Sequence, residues 1–254
     1  MMNNVIPLFK SHFSIGKSIL TLKPESETDN GPDSIIQIAK DNKLKKVFLV
    51  EDCFSGFLQA YKNLKLIDID LIFGIKFVFC EDHLNKSEPE LKKHHKVILF
   101  ANGDEGYKLL IKLWTKANTE GFYYTPRLDM NILKEHFNDS LKIALPFYDN
   151  FIFNNCLKGY QCVPFLENFK PSIFIEDNSL IFDPLVKRKM LEYAKSNDLE
   201  SFNTKSIYYK NKKDFKSFLT FRCINNRTTL NKPEIEHMSS NEFCLESWKE
   251  QNHG

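Results

Sequence analysis

The sequence predicts an α/β fold in which strand-then-helix units follow one another through a single domain and close as a barrel. Three observations lead there. Segments of helical period alternate with short β-branched and aromatic runs, the pattern of a largely parallel sheet covered by helices. The alternation continues without a low-complexity linker or an internal repeat, which favours closure over two separate lobes. At 254 residues, 42% hydrophobic and 27% charged, the chain can bury a sizeable core and lacks the composition of a disordered or fibrous chain.

The elements follow in order. Pro32-Asp33-Ser34 opens a helix with Ile35, Ile36, Ile38 and Ala39 on its apolar side, Asp33 or Ser34 acting as cap. Residues 47–50 (VFLV) form a strand, and residues 57–64 a helix. Two strands are expected next, at 71–73 and 77–79. A polar stretch over 81–95 precedes a strand at 97–101. Asn102-Gly103-Asp104 then turns into a helix with Tyr107, Leu110, Ile111, Trp114 and Ala117 at i, i+3, i+4, i+7 and i+10. Strands at 142–145 and 172–175, a helix at 184–195 and a strand at 206–209 continue the alternation.

Charge and motif content exclude several function classes. Lys+Arg 35 against Asp+Glu 33 gives +2, no overall pull toward nucleic acid or an acidic membrane. Only Arg127, Arg188, Arg222 and Arg227 are arginine, so lysine dominates beside 23 Phe, a usage that fits an A+T-rich genome such as a phage's. No apolar run reaches the ~18–20 residues of a membrane span, and the N-terminus has no signal-peptide pattern. The six cysteines (Cys53, Cys80, Cys156, Cys162, Cys223, Cys244) form no C-x-x-C pair, so free thiols in a reducing cytoplasm are expected. There is no G-x-x-x-x-G-K-[ST], G-x-G-x-x-G or G-x-S-x-G.

Five stretches in one order resemble the PHP (polymerase and histidinol phosphatase) domain that opens bacterial DNA polymerase III alpha subunits. Residues 11–15 (SHFSI) are similar to the back half of the family's H-x-H-S-x-Y-S-L. Residues 49–61, with Asp52 and Gly56, resemble T-D-H-G-x-x-x-G-x-x-x-F-Y, shortened by one residue. Leu71-Ile72-Phe73-Gly74 resembles P-I-I-G. The most specific block is VILFANGDEGYKLLIKLWTKANTEGFYYTPRLDMNIL, which carries Gly106, Tyr107, Gly121, Tyr123, Tyr124, Pro126 and Arg127 of the family's L-L-A-x-N-x-x-G-Y and G-F-Y-Y-x-P-R. Residues 204–209 (TKSIYY) fall where the family has T-N-D-V-H-Y. The resemblance makes residues 1–250 one PHP-like domain, and it implies a distorted seven-stranded (β/α) barrel. In active relatives such a barrel holds divalent metals on His, Asp, Glu and Cys for phosphoester hydrolysis. Metal ions lower the pKa of bound water and clamp phosphoryl oxygens, which needs neutral imidazoles and anionic carboxylates at one point.

Set against that pattern, most of the implied ligand positions carry something else. The opening histidines are Leu8 and Lys10, and the nearby acidic position is Lys17. The glutamate after P-I-I-G-x is Lys76, the next strand's histidine is Lys96, and the last block has Ser206 and Tyr208 for its aspartate and histidine. The D-H step survives only as Glu51-Asp52-Cys53, with its alignment open. An ammonium has no lone pair and repels a cation, so the expectation is a vestigial site with no catalytic residue and no metal. The alternative is a Zn- or Mn-dependent phosphoesterase or 3′–5′ exonuclease with rearranged ligands drawn from His12, His94 or His95. A third reading is a stand-alone nucleic-acid-binding module. It would use lysines at Lys43, Lys45, Lys46; Lys92, Lys93; Lys187, Arg188, Lys189; and Lys210, Lys212, Lys213, with Phe122, Tyr123 and Tyr124 able to stack bases. Asp68 with Asp70, and Glu176-Asp177, read as solvated edge charges and turn chemistry.

Residues 232–249 resemble the family's exit helix, with Ser239 or Ser240 capping it and Glu242 following, so 232–254 is expected to lead toward a polymerase palm that this chain lacks. The expected role is a structural and docking module in DNA replication, free-standing or one piece of a split polymerase. Its partner would be a polymerase catalytic subunit or downstream polymerase region, with DNA reached indirectly and no membrane. A cytoplasmic location follows from the same reading.

Overall fold

A computed structural model of the chain describes residues 5–24, 31–162, 169–231 and 239–253. In chain order these form β1 (Ile6–Phe9), α1 (Ile35–Asp41), β2 (Lys46–Glu51), α2 (Phe57–Lys65), β3 (Asp70–Phe79) and α3 (Glu88–Leu91). Then come β4 (His95–Ala101), α4 (Gly103–Thr119), β5 (Arg127–Leu128), α5 (Met130–His136), β6 (Leu141–Leu145) and α6 (Phe151–Leu157). The last elements are β7 (Ser172–Ile175), α7 (Asp183–Ser196), β8 (Ser201–Ile207), α8 (Phe215–Asn226) and α9 (Leu245–His253). The strands hydrogen-bond in the order β2-β1-β8-β7-β6-β4-β3, and β3 also pairs with β2, so seven strands make a closed ring. β5 adds two residues beside the end of β3. The fold is therefore an α/β barrel of seven strands.

The chain divides into two compact units. The first comprises Met1–Phe73, Glu176–Asp183 and Asn203–Gly254; the second comprises Gly74–Ile175 and Pro184–Phe202. In the first unit, β1 lies parallel to β2 and β8, pairing Leu8 with Phe48 on one side and with Ser206 on the other. Ser34 caps α1 by accepting from the Gln37 amide at 3.2 Å, and Ile35, Ile38 and Ala39 are buried beneath it. The C-terminal helix is stitched to the first strand. Trp248 donates its indole Nε1–H to the Val5 carbonyl at 2.8 Å, and the Val5 amide donates to Asn252 Oδ1 at 3.1 Å.

The second unit is built on the β3–β4 ladder, in which Ile75, Phe77 and Phe79 oppose Leu99, Val97 and His95. Alternation sends this set to the helix-covered face: Phe77 meets Trp114 of α4 edge-on at 5.9 Å, and His95 meets Phe151 of α6. The other face carries Lys76, Val78, Lys96, Ile98 and Phe100.

Four of the expected elements differ in the structure, and β1, α3, β5, α5, α6 and α8 are elements that the sequence expectation does not include. The two short strands around Gly74 are one ten-residue strand, β3. Gly74 is there for room, since a Cβ would sit 2.6 Å from Phe100 Cδ1. β4 runs antiparallel to both β3 and β6, and the stretch that joins β3 to β4 holds only the four-residue α3. β8 spans Ser201–Ile207 and leaves Tyr208 and Tyr209 beyond it. The exit helix starts at Leu245, not at Ser239 or Ser240; Ser240 instead donates to the Asn178 carbonyl and accepts from the Glu242 amide. Residues 232–238 of that stretch lie outside the described residues.

Candidate functional site

In the first unit the strand ends after β1, β2, β7 and β8 bring charged groups together. Lys10 follows β1, with its amide donating to the Ile207 carbonyl at 3.4 Å, and is 5% exposed. Its Nζ lies 2.8 Å from Asp52 Oδ1. Beside the pair, Glu51 is fully buried and accepts from the Ser11 amide at 2.8 Å and from the Ser14 hydroxyl. Ser14 Oγ in turn accepts from the Asp52 amide at 2.9 Å. Burial pushes the Glu51 carboxyl above its ordinary value of 4.5, against the pull of Lys10 and the serine donors.

At the end of β7, Glu176 accepts from the Ser206 hydroxyl at 2.7 Å, from the Ser206 amide at 3.1 Å and from Asn178 Nδ2 at 2.9 Å. Ser206 thus serves as a donor that satisfies a buried acceptor. The neighbouring Lys205, also buried, donates to the Asp177 carbonyl at 2.8 Å, and burial pulls its ammonium below the usual lysine range. Tyr208 lies between the rings of Phe218 and Phe243, at 5.7 and 5.5 Å and nearly parallel to both. Burial, then the Glu176 charge, raises its phenol, so it stays neutral. Cys53 Sγ points to the Phe13 carbonyl at 3.5 Å, the Lys17 amide closes a turn on the Ser14 carbonyl, and Leu8 is buried in β1.

In the second unit, Lys76 opposes Ile98 and Lys96 opposes Val78, which places both lysines on one face of the β3–β4 ladder. Lys96 Nζ is 3.3 Å from one oxygen of Asp149, and Lys158 Nζ is 3.6 Å from the other. The block of glycines and aromatics that carries the most specific motif has a structural job in the same unit. Arg127 is fully buried and donates from Nε to the Gly121 carbonyl, from Nη1 to Asn85 and from Nη2 to His83, at 3.0, 3.2 and 2.7 Å. The Tyr123 ring lies 5.3 Å from its guanidinium carbon. Gly121 and Gly106 allow backbones to touch: a Cβ would come 2.0 Å from the Arg127 oxygen and 2.1 Å from the Ser140 oxygen, respectively. Tyr107 lies on α4, Pro126 precedes β5, and Tyr124 holds its exposed ring on a left-handed backbone with φ of 58°.

The other candidate ligands have partners or surroundings of their own. His12 shares a hydrogen bond with the Leu20 carbonyl. His94 and His95 are both pulled down to about 4 by burial, and His95 stacks on Phe79. Asp68 and Asp70 are exposed. The structure also gathers Asp82, His83 and Asp129, whose ligand atoms lie within 4.8 Å of one another. No spacing in the sequence signals this cluster. Asp129 is already engaged there: it caps α5 through the Ile132 amide at 3.0 Å and accepts from the His83 amide and ring. Burial works to raise its carboxyl, but these hydrogen bonds hold it below its ordinary value.

A sequence profile of the PHP domain matches residues 26–163, more than half of the chain. The chain belongs to the PHP domain family. This PHP domain chain is 28% identical over 227 residues to DNA polymerase III subunit alpha of Aquifex aeolicus, covering 83% of the chain and 19% of the relative. It is 26% identical over 214 residues to the same subunit of Helicobacter pylori, covering 77% of the chain and 17% of the relative. A shorter segment of 83 residues is 34% identical to the subunit of Chlamydia trachomatis, covering 32% of the chain and 7% of the relative. The chain thus spans less than a fifth of the length of the first two relatives.

The residues at the implied ligand positions do not fit a cluster of divalent cations. Lys10, Lys76 and Lys96 are cationic side chains without a carboxylate or imidazole donor, Asp52 is paired with Lys10, Ser206 donates to Glu176, and Tyr208 is a phenol within an aromatic stack, while Glu51 and Glu176 beside them have their oxygens engaged by serine and amide donors.

Because the raised Glu51 carboxyl holds its proton longer in the folded chain than in the unfolded one, folded stability should fall as pH rises from 4.5 toward the folded value. Glu51→Gln keeps an acceptor for the Ser11 amide and should remove that slope. Urea unfolding of both proteins across this window checks it, and parallel pH profiles would contradict it.

Proposed function

We propose that this PHP domain is a catalytically degenerate member that serves a DNA polymerase III alpha-like system as a structural and docking module, with no resident metal. The observation that carries the reading is the Lys10–Asp52 pair. An ammonium 2.8 Å from the retained carboxylate supplies internally the positive charge that a divalent ion would bring, and repels any such ion. The Lys96–Asp149 contact supports the reading in the second unit in the same way. The partner fitting this role is a polymerase catalytic subunit or the polymerase region that follows the domain in the relatives.

The test is metal analysis of the purified chain together with phosphodiesterase assays on an aryl phosphodiester and on a single-stranded oligonucleotide. The expected result is no stoichiometric Zn or Mn and no hydrolysis when Mn²⁺ is added. Bound metal in stoichiometric amount, with hydrolysis that a chelator abolishes, would instead establish the metal-dependent phosphoesterase. Docking is tested by mixing the chain with an alpha subunit lacking its own PHP region and following co-elution by size-exclusion chromatography.

A further inference from the structure

Of the four lysine clusters visible in the sequence, three contain ammonium groups neutralised by carboxylates. Lys93 pairs with Glu81 and Glu90, Arg188 and Lys189 pair with Glu192, and Lys210 and Lys212 pair with Asp33, Glu242 and Glu250. The fourth is different. Lys43, Lys45 and Lys46 are all exposed, and among the described residues none lies within ion-pair distance of a carboxylate.

The fold enlarges this cluster. The turn between α1 and β2 is fixed by the Lys43 amide donating to Lys40 and the Leu44 amide to Ala39, with Lys43 held at a φ of 52°. The turn between α2 and β3 lies beside it, because the Asp70 amide donates to the Lys45 carbonyl at 3.1 Å. That second turn brings Lys62 and Lys65, also exposed, at the C-terminal end of α2. Lys40, Lys43, Lys45, Lys46, Lys62 and Lys65 thus belong to two adjoining turns, with Asp41, Asp68 and Asp70 as the acidic residues of the same segments. Lys65 Nζ sits 5.5 Å from the ring centre of Tyr61, which is 44% exposed and stacks on Phe57 at 5.9 Å. All of this lies at the start of β2 and β3, whereas Lys10, Glu51 and Asp52 lie at the far end of β2.

We infer that these two turns are a nucleic-acid contact surface that binds a phosphodiester backbone, with Tyr61 as a stacking platform at its margin. Local positive charge, not net charge, sets phosphate affinity, so a near-neutral chain can still present such a surface. Backbone hydrogen bonds hold the turn tips in place, which suits a row of regularly spaced phosphates. The inference is independent of whether the PHP site binds metal.

The test uses the whole chain and fluorescein-labelled 20-mer DNA, single-stranded and duplex, followed by anisotropy between 50 and 200 mM NaCl. For every phosphate that a variant no longer neutralises, the slope of log K against log salt should become shallower by roughly 0.9 for duplex. Lys43→Glu/Lys45→Glu/Lys46→Glu should therefore weaken low-salt binding by about tenfold or more and flatten the slope by roughly 2–3. The corresponding Lys→Gln variant should weaken binding less, and Lys187→Glu/Lys189→Glu on α7 should bind as the unaltered chain does. Circular dichroism confirms folding of each variant. The inference is overturned if the unaltered chain does not bind DNA at 50 mM salt, if the triple reversal binds normally, or if the α7 reversal weakens binding equally. Binding to phosphatidylserine vesicles without binding to DNA would assign the surface to a membrane and overturn it too.

Discussion

Arg127→Ala is expected to destabilise the fold by roughly 3–5 kcal/mol, among the largest effects of any single substitution in the chain. The side chain is fully buried, and its three nitrogens satisfy carbonyls from two separate segments, Gly121 on one and His83 and Asn85 on the other. Truncation leaves those carbonyls without their donors and opens a cavity beside Tyr123. Arg127→Lys should recover less than half of the loss, because one ammonium cannot reach three carbonyls in a fixed planar array. Urea unfolding measures both, and a loss below about 1 kcal/mol for the alanine variant would mean that the buried guanidinium is not what joins these segments.

Gly106→Ala should also destabilise strongly, although helix propensity alone predicts the opposite. Gly106 lies in α4, where Ala is favoured over Gly by about 1 kcal/mol. Its missing Cβ, however, would stand 2.1 Å from the Ser140 carbonyl oxygen, a backbone atom that cannot rotate away. Shifting a 17-residue helix off its neighbour disturbs the packing of Leu110, Leu113 and Ala117, and overpacking of that kind costs roughly 3 kcal/mol or more. Steric cost wins, leaving a net loss of about 2 kcal/mol or more. Gly103→Ala is the contrast: nothing lies within 4 Å of its Cβ, and only its φ of 73° opposes a side chain. It should lose about 1–2 kcal/mol at most. Thermal unfolding of the two variants side by side decides the matter, and a more stable Gly106→Ala would refute the close-approach account.

The alternation of strands and helices was legible where strands announce themselves locally, as in VFLV and SIFI, whereas the seven-stranded closure follows from the family resemblance and β1 is not among the strands so read. Local pattern failed where a tertiary neighbour decided the outcome. The runs at 71–73 and 77–79 read locally as two strands, and the Phe100 ring that packs over Gly74 within the single strand is not a local fact. The reversed direction of β4 has no marker in the charged stretch that precedes it. Lys10, Lys76 and Lys96 could be named from the motif order, and Asp52 with them, but not the carboxylate that Lys96 meets. The Asp149 that meets Lys96 is 53 residues distant. Glu176 looked like turn chemistry because the serine that satisfies it, Ser206, is 30 residues further on. The His83–Asp129 pair likewise joins residues 46 apart. That one lysine cluster among four has no carboxylate at ion-pair distance among the described residues could not be read at all without the carboxylates around the other three.

The stitching of Trp248 and Asn252 to Val5 bears on how the protein is made. Synthesis reaches β1 early, yet β1 sits between β2 and β8, and the Val5 amide beside it waits for a partner 247 residues away. The first strand emerges from the ribosome long before two of the elements that fix it exist. Closing so long a loop is entropically costly, so the ring closes only after the chain through β8 has been made. Until then an apolar strand edge, Ile6 to Phe9, stays open to wrong pairing. Pairing with β8 ends this exposure, and the bonds from Trp248 and Asn252 to Val5 add a clasp beside it.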